Sequence, residues 1–176
     1  SKVKNKPFSD LKISVGNDSR LSAPRIRSKV TEGLSRLGCS VIDCGLASTP
    51  AMFMSTVLKG YEYDGAIMIT ASHLPFNRNG FKFFTNKGGL EKGDITDILT
   101  LAEANNFVLA DKPGQITSMD FISVYAEDLV NKIRDGVNHP TNREQPLKGF
   151  KIVVDAGNGA GGFLHTRFLY PLGLTY

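Results

Sequence analysis

The 176 residues contain no tryptophan, two cysteines and three histidines, and no apolar run approaches the roughly 20 residues that span a bilayer. Each shortage excludes a class of protein. The missing span, together with a polar start from Ser1 to Asp10 that makes no secretory signal, leaves no membrane partner expected. An intracellular, cytoplasmic chain fits best, and a transit peptide removed ahead of Ser1 would leave a plastid address open. Cys39 and Cys44 flank Ser40-Val41-Ile42-Asp43, an extended run in which a disulfide would fight the backbone geometry. Structural thiols in a reducing compartment are the expectation. A zinc site lacks its further ligands, and His139 and His165 lie far in sequence from His73 and from each other. With no carboxylate at ligand spacing, a metal site built of protein groups alone is not expected. A basic block is missing too. The formal charge is +4 and the sequence pI about 9.1, but the 21 basic residues are dispersed, which suits small phosphorylated ligands and argues against nucleic acid.

What is present reads as an ordinary globular composition, 41% hydrophobic, long enough for one full domain and a fragment or for one larger domain. Strand and helix patterns alternate, so the fold class expected is α/β, a three-layer α/β/α arrangement around a mixed, mostly parallel sheet. Strands are predicted over 12–16, 41–44, 65–69 and 80–85. Helices are predicted over 22–37, 50–58, 91–105 and 119–134. In the first helix Ser22 is available as N-cap, Pro24 is tolerated in the first turn, and Ile26, Val30, Leu34 and Leu37 form one apolar stripe. Gly38 is placed to end it. Residues 1–135 are assigned to a first domain and 136–148, with two prolines and no apolar period, to a linker. Residues 149–176 then begin a second α/β unit, with a strand at Phe150-Lys151-Ile152-Val153-Val154-Asp155 and a helix running to Leu172. One strand and one helix cannot bury a core alone, so this unit either joins the first sheet or opens a second, incomplete domain, and the latter is preferred.

The densest chemistry lies in Thr70-Ala71-Ser72-His73-Leu74-Pro75, followed by Phe76-Asn77-Arg78-Asn79-Gly80-Phe81-Lys82. It follows the apolar run Gly65-Ala66-Ile67-Met68-Ile69, which places Ser72 at the carboxyl end of a buried strand, where open α/β sheets bind ligands. Adjacent Ser72 and His73 diverge along extended backbone, which disfavours a hydrolase triad. An isolated Ser-His pair would read as a polar connection. The whole string, however, resembles the active-site loop of the α-D-phosphohexomutases, T-A-S-H-N-P with N-G-x-K shortly after. Gly16-Asn17-Asp18-Ser19-Arg20-Leu21-Ser22 is similar to that family's G-x-D-x-R-x-S segment. Val154-Asp155-Ala156-Gly157-Asn158-Gly159-Ala160-Gly161-Gly162 resembles the opening of its second domain, although the same glycines also meet a dinucleotide-binding pattern.

The resemblance implies an isomerase that moves phosphate between the 6 and 1 positions of a hexose through a phosphoserine and a bisphosphorylated intermediate. It assigns catalytic roles to Ser72, His73, Lys82 and Arg20. Ser72 would be the phosphorylated nucleophile and, through its phosphate, a ligand of one magnesium ion; Lys82 would serve proton transfer and phosphate contact. Physically, Arg20 would brace the anionic loop by charge-assisted hydrogen bonds, or else pair with Asp18 in a surface turn. The implied ligands are Mg2+, a hexose 1,6-bisphosphate activator and a sugar phosphate substrate whose hexose the sequence leaves open, as it does the oligomeric state. Leu74 departs from the usual asparagine. The D-G-D-x-D-R metal loop and the segments that bind sugar and distal phosphate are not in this sequence. The chain is therefore expected to be inactive alone, and its rival reading is a non-catalytic module that binds a phosphorylated ligand or a protein partner.

Overall fold

A computed structural model describes residues 6–175. Its first strand, β1 (Lys12–Asn17), is followed by α1 (Ala23–Arg36), β2 (Ser40–Leu46), α2 (Thr49–Met54), β3 (Gly65–Ile69) and β4 (Phe81–Thr85). Then come β5 (Gly88–Gly89), α3 (Lys92–Ala104), β6 (Ile116–Ser118) and α4 (Phe121–Val137). The six strands form one sheet in the order β5-β4-β3-β1-β2-β6, with β3, β1, β2 and β6 mutually parallel, β4 antiparallel to β3 and β5 antiparallel to β4. The mixed, mostly parallel sheet is the one the sequence predicts.

Alternation along β1 sorts the layers. Val15 forms a core with Val41 and Ile69, and Ile26, Val30 and Leu34 of α1 pack against it, so the predicted stripe is the one that docks. On the opposite face the buried hydroxyls of Ser14 and Ser55 share a hydrogen bond at 2.7 Å, and Phe84 of β4 meets Phe53 of α2 with ring centroids 6.1 Å apart. Gly16 lets α2 approach: a Cβ there would stand 2.6 Å from Met52 Sδ and 2.8 Å from Ala47 Cβ. Helices thus cover both faces of the sheet.

Local chemistry sets the boundaries. At Gly38, φ is 94°; its N–H reaches Ser35 O at 2.8 Å and the Cys39 N–H reaches Leu34 O at 3.2 Å, the two bonds of a Schellman termination. Ser22 does not cap α1. Its backbone is already helical and its hydroxyl pairs with the Asn79 side chain instead. Helix α2 stops at Met54, short of the predicted Leu58. Here the Ser55 and Thr56 hydroxyls donate to Met52 O and Phe53 O at 2.7 and 2.8 Å, and the chain runs on in turns. Strand β6 is unpredicted; it is three exposed residues on the sheet edge.

The chain divides into two compact units, Ser1–Met119 and Asp120–Tyr176. Helix α4 falls in the second, so this division precedes α4, whereas the sequence places the linker after it. Within the second unit α4 buries Phe121, Ile122, Ala126 and Val130, and Arg167 pairs with Asp120 at 2.8 Å. Desolvation opposes ionisation of Asp120, but its hydrogen bonds with Ser123 and Arg167 prevail and hold the carboxyl below its ordinary range.

The expected strand over 150–155 is corrected, and the expected helix to Leu172 is present only as irregular 3-10 and π segments over 160–172. Only Lys151 bridges, to Thr175, and the following residues form short 3-10 and π turns. No neighbouring strand pairs along 150–155 among the described residues, and Phe150 and Val153 are 64% and 98% exposed. Pro171 removes a backbone donor from the helix expected there.

Both cysteines are buried free thiols. Burial, with the Asp43 carboxylate adding, pushes the Cys44 thiol up to about 12, and burial also raises Cys39. Neither should react with Ellman's reagent at pH 8 before the chain unfolds; rapid labelling of the folded protein would contradict this. Gly16→Val should overpack α2 and cost about 1–3 kcal/mol, read from the urea midpoint.

Candidate active site

Parallel pairing of β1 with β3 brings two loops out at one edge of the sheet, since Asn17 is in register with Ile69. The Asp18 N–H extends the ladder to Ile69 O at 3.1 Å, and the Thr70 N–H reaches Gly80 O at 2.9 Å on the other side. Gly80 is needed at this closure, because a Cβ would come within 3.0 Å of Thr70 O. Between Thr70 and Gly80 the chain makes two turns, closed by Leu74 N–H to Ala71 O and Arg78 N–H to Pro75 O. Every residue from Ser72 to Asn79 is exposed.

This exposed loop is held from beneath by Arg20. Its side chain is only 8% exposed, and all five guanidinium N–H groups are spent. Nε donates to Asp18 Oδ2 at 2.9 Å, Nη1 to Pro75 O at 2.5 Å and Arg78 O at 3.0 Å, and Nη2 to Ser72 O at 2.7 Å and Leu74 O at 2.9 Å. Both sequence alternatives for Arg20 are therefore realised together. It pairs with Asp18 and it braces the loop, through carbonyl oxygens. No donor is left for a ligand, so in this geometry Arg20 is a positioning residue.

Ser72 stands at φ 54°, in the left-handed region. That conformation costs a non-glycine residue about 1–2 kcal/mol, less than one or two hydrogen bonds to a charged group at about 1.5–3 kcal/mol each. The Arg20 bond to Ser72 O and a bond from the Ser72 N–H to Thr70 Oγ1 at 2.9 Å hold it there. Ser72 is itself exposed.

Lys82 and His73 are arranged differently. Lys82 on β4 is in register with buried Met68 on β3 and shares a face with Phe84, which places it on the α2 side of the sheet. It is half-buried and makes no hydrogen bond or ion pair among the described residues. His73 is exposed and likewise makes no such bond among the described residues. The structure thus brings Arg20 into direct contact with the Ser72 loop, while His73 lies within that loop and Lys82 follows it on β4.

Sequence reading passes over Thr70 as a site residue and treats Asp18 only as a partner of Arg20. Thr70 donates its hydroxyl to Asp18 Oδ2 at 2.7 Å. The signal was available in Asp18's position inside the quoted segment. The glycine pattern after Asp155 fails the dinucleotide test, because no strand precedes it in the structure.

Magnesium prefers oxygen ligands in near-octahedral array and accepts few from protein. Asp18 is committed on both oxygens, and the described residues hold no group of three or more His, Cys, Asp or Glu able to cage a metal. The described residues do not form a magnesium site by themselves.

Residues 2–108 match the family model described as phosphoglucomutase/phosphomannomutase, alpha/beta/alpha domain I. A phosphoglucomutase of Neisseria gonorrhoeae is 33% identical over 163 residues, covering 92% of this chain and 32% of that protein. A phosphoglucosamine mutase of Caldicellulosiruptor saccharolyticus is 29% identical over 175 residues, covering 98% and 36%. A solved phosphoglucomutase/phosphomannomutase family protein from Burkholderia thailandensis superposes with a TM-score of 0.76 at 26% identity, over 96% of this chain and 37% of that one. The chain spans about a third of the length of the curated relatives it matches.

Arg20→Lys keeps the charge but not the planar five-donor fork. It should destabilise the first unit by about 2–3 kcal/mol and speed hydrogen exchange at the Leu74 and Arg78 amides. Unchanged exchange at those amides would refute the clamp.

Proposed function

The chain belongs to the phosphoglucomutase/phosphomannomutase family, and from that premise we propose that it carries the phosphoserine, at Ser72, of a phosphohexomutase that interconverts hexose 6-phosphate and hexose 1-phosphate. The observation that carries this reading is the exposed Ser72 held left-handed on a clamped loop at the carboxyl edge of the sheet, with an unpaired lysine on the next strand.

Phosphorylation adds about −1.5 to −2 charges and three acceptor oxygens. Arg20 is neutralised by Asp18 and has no free donor, so it offers this charge little. On this reading Lys82 answers the phosphate charge, and His73 is the adjacent group able to carry a proton. In the forward step the bond from phosphorus to Ser72 Oγ breaks as one forms to a sugar oxygen, and the proton lost by the sugar hydroxyl is returned to Ser72 Oγ, regenerating the serine hydroxyl. Phosphoryl transfer rests on positioning and charge neutralisation, and this chain supplies mainly the first. Magnesium, when bound, would supply further neutralisation at the Ser72 phosphate, with its remaining ligands drawn from elsewhere. We read the exposed apolar run 150–154 as the opening of a second domain.

A non-catalytic, mutase-like module remains the second reading. Two observations favour it: Leu74, 53% exposed, where the family pattern has an amide, and the lack of a metal cage among the described residues. A D-G-D-x-D-R loop encoded beyond Tyr176 would decide for the enzyme.

The test uses a form extended through that loop, incubated with hexose 1,6-bisphosphate, magnesium and glucose, mannose or glucosamine phosphates in turn. Interconversion is expected, with phosphate on Ser72 by mass spectrometry, and Ser72→Ala should abolish both. Phosphate found on another residue would refute the assignment. The 176 residues alone should turn over at a small fraction of that rate.

A further inference from the structure

Resting on the phosphoserine reading, the geometry points to Thr70 as a positioning residue: its hydroxyl, oriented by Asp18, fixes the backbone of Ser72 and so aims the nucleophile. Thr70 is 6% exposed, and its Oγ1 stands in two hydrogen bonds. Their polarity is forced. A carboxylate oxygen only accepts, so the single hydroxyl proton goes to Asp18 Oδ2 at 2.7 Å, and the oxygen lone pair faces the Ser72 N–H at 2.9 Å.

Asp18 is itself fixed from three sides. Its Oδ1 accepts the Arg20 backbone N–H at 3.2 Å, and its Oδ2 accepts Arg20 Nε at 2.9 Å. Its carbonyl accepts Asn17 Nδ2 at 2.6 Å. Asn17 is 4% exposed, and its amide cannot flip, because Arg27 has only donors and bonds Asn17 Oδ1. Arg27, on α1, is paired in turn with Asp43 of β2 at 3.0 Å, and Asp43 Oδ1 also takes the Gly45 N–H at 3.0 Å. A polar chain of fixed sense runs from β2 through α1 and β1 to the Ser72 amide. Asp43 ends the chain on β2, Arg27 and Asn17 connect it to Asp18, Arg20 joins at Asp18, and Thr70 is the last member before the nucleophile.

A consequence separates this role from simple stability. With its N–H engaged by Thr70 and its C=O by Arg20, Ser72 has its peptide groups fixed on both sides, so the Cα–Cβ bond has one direction and only the side-chain torsion remains free. Losing the Thr70 acceptor releases the side that Arg20 does not hold. Effects should fall on the transfer step rather than on substrate affinity.

Thr70→Val keeps shape and removes the acceptor, Thr70→Ala removes it without bulk, and Thr70→Ser restores it. In the 176-residue chain, Ser72 amide exchange should rise at least tenfold in the Val and Ala variants and return to within about threefold of the parent in Ser. In the extended form, phosphoryl transfer should lose at least tenfold in kcat with KM within about twofold in Val and Ala, and recover in Ser. Unchanged Ser72 exchange in both Val and Ala, or raised exchange with kcat unaltered, would overturn the proposal, as would failure of Ser to rescue. Absence of transfer in the unsubstituted extended form would instead overturn the mutase reading, while the exchange series still reports on the hydrogen bond.

Discussion

Four carbonyl oxygens of an exposed loop converge on one buried guanidinium, and the arrangement of the Ser72 loop depends on that contact. Unsupported, a loop of this length samples many backbone states, each ordered residue costing about 1–2 kcal/mol. The five bonds of Arg20 are individually worth about as much, and four of them act on residues 72, 74, 75 and 78 at once. Because Asp18 balances the charge, the clamp orders the loop without making it strongly cationic. Loop order therefore rests on Arg20 and Asp18, which leave no donor over for an incoming anion.

Sheet topology explains why these residues meet although they are more than 50 positions apart. Strands β1 and β3 are adjacent and parallel, so their carboxyl ends lie side by side and Asp18 extends the ladder next to Thr70. The antiparallel β4 returns along β3, so its first residues, Phe81 and Lys82, lie at the same edge. A parallel fourth strand would have carried Lys82 to the other end. The antiparallel return is closed by Gly80, whose missing Cβ lets the chain pass Thr70 O.

Legibility in the sequence followed how local the cause was. The α1 stripe, the Gly38 termination and the apolar β3 were readable because period, glycine and burial act within a few residues. The same holds for the mixed sheet as a class. Ser22 was misread for the opposite reason: a cap is a local inference, and the hydroxyl was claimed by Asn79, 57 residues on. The hydroxyls of Ser55 and Thr56 shortened α2 by a competition that periodicity does not register. Exposed β6 carried no apolar signal. At the candidate site, motif resemblance singles out Ser72, Arg20 and Lys82 but not Thr70, whose bond to Asp18 exists only once β1 and β3 are paired.

The 150–155 segment shows where a correct local pattern is still insufficient. Val and Ile have high strand propensity, but propensity spans only about 1 kcal/mol and expresses packing against neighbours. In the second unit only Thr175 bridges the segment, and Val153 is almost wholly exposed. Strand β3 has a similar composition and is buried because β1 and β4 flank it and helices cover the sheet. The comparison separates sequence from context: one apolar run became a strand ending in the Ser72 loop, and the other, with a similar pattern, did not become a strand. Neighbouring strands make the difference, and in the first unit they also bring Asp18 to Thr70.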